Sequence, residues 1–220
     1  MRSTWDALAS EPDVFVGDPA SAESELAGLF GRLGGDSGAG TCVEVGCGPG
    51  RITTFLARRF ERVIAVDVSP AMLEQARAHV REENVEFRAV GGERLDGVED
   101  AVADVVVCYL VLQHLPEREL IVRYFAEFAR VLKPTGAAYV QLPVLDDGVR
   151  PRTWRAIRSL GVPLTAFRGP TSSAAFRGFR LDERELGEAL TGAGLRVRKR
   201  VNEPAPYRYS HDAFLLLERA

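Results

Sequence analysis

Val43-Glu44-Val45-Gly46-Cys47-Gly48-Pro49-Gly50 is the stretch on which the reading of this chain turns, and Asp67 follows 17 residues after Gly50. The run reads as a strand, a glycine-rich turn and the opening of a helix, with the acid closing the next strand. Three glycines in five residues leave the turn bare, so a ligand can approach the backbone closely. A following helix would aim unpaired N–H groups and a positive dipole end at the same space. Glu44 and Asp67 bracket the turn. A nucleotide-like ligand fits such a place.

Working outward, short β-rich runs alternate with amphipathic stretches from residue 41 onward, the pattern of a parallel sheet with crossover helices. Strands are expected at Thr41–Gly46, Arg62–Val66, Val85–Ala89, Ala103–Tyr109 and Ala137–Leu142, and helices at Ile52–Phe60, Ser69–Val80 and Glu117–Leu132. Ser69-Pro70 supplies an N-cap hydroxyl and a proline at the first helical position. Lys133-Pro134-Thr135-Gly136 is expected to end the third of these helices. Asp182 and Glu185 form a capping-box pair, and the last two strands, Leu195–Val201 and Ala213–Glu218, read as antiparallel because no helix separates them. The fold class is therefore α/β: a Rossmann-like, seven-stranded, mostly parallel sheet with helices on both faces. We expect a single domain over 1–220, with an N-terminal helical flap over 1–40 and a substrate lid inserted after the fifth strand, over 143–180.

Composition narrows the class. Hydrophobic residues make up 46% and charged residues 27%, ordinary for a globular protein, and the net charge of −3 speaks against a nucleic-acid or anionic-membrane binder. The first thirty residues show no secretory leader pattern, and the longest apolar run, Val105–Leu112, is too short to span a bilayer. Cys42, Cys47 and Cys108 fall in or beside buried strands, which suggests reduced thiols and a cytoplasmic location. His79, His114 and His211 are scattered, so no metal site is expected. A monomer and a homodimer are both compatible with the chain.

A dinucleotide fingerprint requires a third small residue, yet Arg51 occupies that position, and the phosphate loop with its lysine is absent. What remains is a cofactor with a ribose, an adenine and a charged amino-acid end. Here the chain resembles the class I S-adenosylmethionine-dependent methyltransferases. The match lies in Glu44–Gly50, in Val66-Asp67-Val68-Ser69, in Asp104–Leu115 with its Leu112-Gln113-His114-Leu115-Pro116 ending, and in Arg130–Gly136. The resemblance implies S-adenosyl-L-methionine as cofactor. It implies that Asp67 accepts the ribose hydroxyls, while Gly46, Cys47, Gly48 and Gly50 let the backbone lie against the methionine moiety. Glu44 would orient the turn or meet the ammonium. Val68, Ser69 and Met72 would flank ribose and adenine, although Ser69 serves equally as a helix cap. Gly92 or Glu93 would contact the adenine, and Cys108 and Tyr109 would lie where cofactor meets substrate.

Methyl transfer needs a general base only where the acceptor must lose a proton. His114 is the first candidate because histidine is the usual general base near neutral pH and this one sits just beyond the fourth strand; the competing account is a histidine that braces a loop. Tyr109, Tyr207, Tyr209 and His211 are weaker candidates. The fourth strand lacks the Asn/Asp-Pro-Pro pattern usual in enzymes of this fold that methylate exocyclic amines of bases, which speaks against DNA or RNA adenine methylation; the leading reading is a small-molecule acceptor. Seven arginines (150, 152, 155, 158, 168, 177 and 180) lie in a stretch without an acid between Asp147 and Asp182. They suggest an anionic acceptor held by Arg152 and Arg155, or else they pair with acids elsewhere in the chain. Trp154, Phe167, Phe176 and Phe179 would wall a pocket or pin the lid, and Trp5, Asp6 and Leu8 would form a flap. The alternative function is a non-catalytic S-adenosylmethionine-binding regulatory or interaction protein. A Rossmann oxidoreductase is disfavoured by Arg51.

Overall fold

The computed structural model describes residues 5–6, 9, 19–34, 38–159, 178–205 and 209–220. Seven strands form one sheet: β1 Thr41–Val45, β2 Arg62–Asp67, β3 Val85–Ala89, β4 Ala103–Cys108, β5 Leu132–Leu145, β6 Leu195–Pro204 and β7 Ser210–Arg219. Their order is β3-β2-β1-β4-β5-β7-β6. The first five run parallel, and β7 lies antiparallel between β5 and β6. The chain winds away from β1 in one direction through β2 and β3, then in the other through β4 and β5. A crevice therefore opens beyond the carboxyl ends of β1 and β4, the switch point where α/β sheets bind ligands. Among the described residues no helix is long and apolar enough to cross a membrane.

Among the described residues the helices are α1 Pro19–Leu33, α2 Thr53–Ala57, α3 Pro70–His79, α4 Arg118–Val131, α5 Val149–Ser159 and α6 Glu183–Gly192. Because side chains alternate along a strand, each strand feeds two cores. Val43, Val45, Ile64, Val106 and Val140 face one way and pack with Phe125 and Phe128 of α4 and Leu186 of α6. Cys42, Val63, Ala65, Val107 and Tyr139 face the other way, against Leu26, Leu29, Phe30 and Leu33 of α1 and Leu56 of α2. Phe30 meets Tyr139 edge-on at 4.5 Å. The sequence from Ser21 to Leu33 reads as a helix that turns Leu26, Leu29, Phe30 and Leu33 inward, and α1 buries those four, each worth about 1.5–3 kcal/mol.

Local signals set several boundaries as expected. Ser69 caps α3 by accepting a hydrogen bond from the Met72 N–H, with Pro70 as the first helical residue. Asp182 and Glu185 make both bonds of the capping box at α6. Other boundaries differ. The helix expected to run to Phe60 is only the five-residue α2, without a side-chain cap. A helix this short adds little dipole to the turn before it. The segment expected to end α4 at Lys133–Gly136 belongs to β5, as a bulge: Leu132 pairs with Ala103 and Ala137 with Val105, so β5 advances five residues while β4 advances two. Pro134 has no N–H to offer the ladder. A side chain on Gly136 would sit 2.8 Å from the Ala103 carbonyl oxygen, so only glycine fits. At the other end β5 continues through Pro143, Val144 and Leu145, which were expected in the lid.

Candidate active site

The turn after β1 is held against the end of β2. The N–H groups of Gly46 and Cys47 both donate to the Val66 carbonyl, at 2.8 and 3.0 Å, and Gly50 closes the turn on Cys47 at 3.0 Å. Gly46, Gly48 and Gly50 all have positive φ, at 73°, 53° and 88°. Each needs glycine for a different reason. A side chain on Gly46 would collide with Val111 in the loop after β4, and one on Gly50 would lie 2.8 Å from a Val80 methyl behind α3. Gly48 has nothing within 4 Å. Its bare backbone faces open space.

Asp67 stands at the end of β2 beside that space. One carboxylate oxygen accepts the Gly48 N–H at 2.9 Å and the other the Ser69 N–H at 2.8 Å. Each oxygen keeps lone pairs for a further donor. Burial pushes its carboxyl above the usual range, and the backbone N–H groups of Ser69, Gly48 and Val68 oppose that shift. Ser69 donates to Asp6 at 2.6 Å, which draws the N-terminal segment onto this corner.

Glu44 lies one strand over, fully buried, and neither of its oxygens has a hydrogen-bond partner among the described residues. Burial pushes its carboxyl up to about 8; the neighbouring Thr53 hydroxyl offsets this in part, and the Asp67 charge adds to it. Burial thus favours the protonated form of Glu44 beneath the turn. Burial likewise pushes the Cys47 and Cys108 thiols up, so both are inert thiols rather than nucleophiles.

These elements surround a cleft of about 320 Å³. Of the residues read from the sequence, Gly46, Cys47, Gly48, Asp67, Val68, Met72, Tyr109 and His114 line it. Others fall outside its lining. Cys108 is in the core, Gly50 backs onto α3, and the Gly92 carbonyl accepts the Tyr124 hydroxyl at 3.3 Å. Glu93 points to solvent and pairs with Arg123 at 2.5 Å. Trp5 also lines the cleft and meets the His114 ring edge-on at 5.0 Å.

Among the lining residues that the sequence does not mark as site residues are Arg51, Tyr124 and Leu110. Arg51 had been read only as evidence against a dinucleotide. Tyr124 had been read only as a packing residue of its helix, yet it reaches the cleft wall. Leu110 has φ 60°, uncommon for a leucine, and its N–H donates at 3.1 Å to Gln141, whose amide in turn donates to Asp212 at 2.8 Å. Nothing in the local sequence marks that left-handed residue.

Two of the arginines after β5, Arg152 and Arg155, lie beside acids, the alternative the sequence leaves open. Arg152 approaches Asp182 at 3.7 Å, and Arg155 binds Glu185 and the Arg180 carbonyl and stacks over Phe179. Trp154 meets Tyr209 edge-on at 6.2 Å. His211 lies between Asp146 and Arg200, at 3.0 Å from each, away from the cleft lining. Tyr207, Leu8, Phe167, Arg168, Phe176 and Arg177 lie outside the described residues, as does the side chain of Arg158.

The donor set suits a nucleoside with an uncharged linkage. One carboxylate with spare acceptor capacity faces the cleft, a bare glycine backbone adjoins it, and among the described lining residues Arg51 is the single cation, too few for a polyphosphate. A family model described as a methyltransferase domain matches residues 43–140. Among curated proteins, the ubiquinone biosynthesis O-methyltransferase of Xanthomonas oryzae pv. oryzae is 29% identical over 138 residues, covering 62% of this chain and 54% of the relative. The chain thus spans about half the length of that relative. Among solved structures, a DhpI–SAM–HEP complex is 25% identical, with TM-score 0.63, over 97% of this chain and 94% of the other. The magnesium protoporphyrin IX methyltransferase of Synechocystis PCC 6803, with bound SAH, shares the fold at TM-score 0.65 and 19% identity, over 100% and 98% of the two chains. The strand order, the glycine turn locked under Val66, the Asp67 acceptor and these likenesses agree: the chain carries the methyltransferase-domain match over residues 43–140 on a fold similar to that of the class I S-adenosylmethionine-dependent methyltransferases.

Proposed function

We propose that the protein transfers a methyl group from S-adenosylmethionine to a small-molecule acceptor. The observation that carries this reading is the pairing of Asp67 with Gly48. The carboxylate is fixed by two backbone N–H groups and retains lone pairs toward the cleft, and the adjoining glycine leaves open space. Asp67 would hold the ribose hydroxyls, with Val68 and Met72 beside them. When bound, the cofactor supplies an electrophilic methyl group on a sulfonium that departs as a neutral thioether. The protein's share is then chiefly positioning and exclusion of water, worth several kcal/mol when the reactants are well oriented.

Where the acceptor must lose a proton, the geometry favours His114 over Tyr109. The Tyr109 hydroxyl donates to Glu25 at 3.1 Å, and burial, with Glu25 beside it, pushes the phenol up to about 12, which makes it a poor base. The His114 ring lines the cleft. The small-molecule class rests on likeness to relatives such as the ubiquinone biosynthesis O-methyltransferase. An anionic acceptor would have to draw Arg152 and Arg155 away from Asp182 and Glu185. Substituting both by alanine, with no effect on acceptor affinity, would remove that part of the proposal. Thermal unfolding with S-adenosylmethionine, S-adenosylhomocysteine and NAD tests the whole. Either adenosyl ligand at a hundred times its Kd should stabilise the protein by about 2.7 kcal/mol. Stabilisation by NAD alone would refute the reading.

A further inference from the structure

Arg51 is the one lysine or arginine among the described residues that line the cleft. Its side chain is 17% exposed, and its ion-pair partner, Glu25 of α1, lies 3.6 Å away and is 45% exposed. That separation is beyond hydrogen-bonding range, so leaving Glu25 breaks no hydrogen bond. The same Glu25 oxygen accepts the Tyr109 hydroxyl at 3.1 Å. Arg51 and Tyr109 therefore meet on one carboxylate at the β4 side of the cleft.

The sheet order fixes what lies opposite. Asp67 ends β2; beyond it on one side is β3, followed by Val90, and on the other side are β1 and β4, followed by Tyr109. Val90 and Tyr124 give the β3 side of the cleft an apolar wall, whereas Arg51 gives the β4 side a cation. A ligand whose ribose is held at Asp67 would then place a flat apolar group toward Val90 and an anionic group toward Arg51. In S-adenosylmethionine only the amino-acid carboxylate is anionic.

On the cofactor reading given above, we propose that Arg51 binds the carboxylate of the cofactor's methionine end, exchanging its loose contact with Glu25 for a charge-assisted fork. Arginine suits the task because its planar donors match both carboxylate oxygens and it stays charged at any relevant pH. Arg51 thereby measures the amino-acid end, while Asp67 measures the ribose. The arginine that spoils a dinucleotide fingerprint becomes a determinant of cofactor choice.

The test compares three ligands by titration calorimetry: S-adenosylmethionine, its decarboxylated form, which lacks only the carboxylate, and 5′-methylthioadenosine, which lacks the whole amino-acid end. Wild type should prefer the intact cofactor over the decarboxylated form by roughly 10- to 100-fold, the range for hydrogen bonds to a charged group. Arg51→Met should abolish that preference by weakening the intact cofactor alone, with the other two ligands bound as by wild type. Unchanged binding of 5′-methylthioadenosine also shows that the variant is folded. Arg51→Lys, which keeps the charge without the fork, should retain part of the preference, and Glu25→Gln should retain all of it. Equal weakening of all three ligands by Arg51→Met would overturn the proposal in favour of a structural role, and so would an unchanged preference. Failure of wild type to bind any of the three would overturn the cofactor reading itself, and this inference with it.

Discussion

Glu44→Gln should flatten the dependence of stability on pH, by an amount that follows from its burial. The wild-type carboxyl sits at zero exposure without a hydrogen-bond partner among the described residues, pushed from 4.5 up to about 8. Between those values the folded protein keeps a proton that the unfolded chain has released. Stability contributed by this group is therefore greatest below pH 4.5 and is lost as pH rises toward about 8. Each pH unit in that interval is worth about 1.4 kcal/mol, so the full span comes to about 5 kcal/mol, an upper bound because the turn can relax and admit water. That is a large fraction of the 5–15 kcal/mol or so that holds a typical domain together. Glutamine has the same shape and no charge to bury. Urea unfolding of both proteins at pH 5, 7 and 9 should show them within about 1 kcal/mol at pH 5, with the variant more stable by several kcal/mol at pH 9. Other titrating groups cancel in the difference. Parallel curves across this range would refute the account of Glu44 as a buried, unpaired acid.

The glycines of the turn should separate stability from binding. Gly50→Ala, at φ 88° with a Val80 methyl 2.8 Å from the new side chain, should destabilise by about 2–4 kcal/mol in urea unfolding, as strain and overpacking add. Gly48→Ala, facing open space at φ 53°, should cost about 1 kcal/mol of stability and instead weaken S-adenosylhomocysteine, measured by calorimetry; the reverse pattern would show that the cleft lies elsewhere. Phe30→Ala, at a position 1% exposed and packed on Phe55 and Tyr139, should cost about 3–5 kcal/mol by the same unfolding assay. A loss below about 1 kcal/mol would return α1 to the status of a surface flap.

What could be read from the chain followed the range of the forces involved. The central strands of the parallel sheet were legible because burial on both faces leaves near-continuous apolar runs such as Val105-Val106-Val107. Ser69 and the Asp182–Glu185 box were legible because capping is a contact across three residues. The β5 bulge was not. Lys133-Pro134-Thr135-Gly136 has the composition of a turn, and only the distant Ala103 carbonyl explains why it lies in a strand. Arg152 and Arg155 looked unpaired because their acids, Asp182 and Glu185, arrive through the fold rather than through neighbouring sequence. The left-handed Leu110 was invisible for the same reason: Gln141, 31 residues away, holds its N–H. Arg51 was noticed for what it forbids, and its place in the cleft wall needed three dimensions.

The central claim is that the cleft beside Asp67 holds the adenosyl methyl donor. Calorimetric titration of S-adenosylhomocysteine into wild type and Asp67→Asn tests it most directly. Asparagine keeps the size of the side chain but replaces one acceptor oxygen with a donor and removes the charge. Wild type should bind one equivalent, and the variant should remain folded, less stable by about 1–3 kcal/mol because one of the Gly48 and Ser69 N–H groups loses its acceptor, and should bind about 10- to 100-fold more weakly. Equal affinity in the two proteins, or no binding by a folded wild type, would contradict the account.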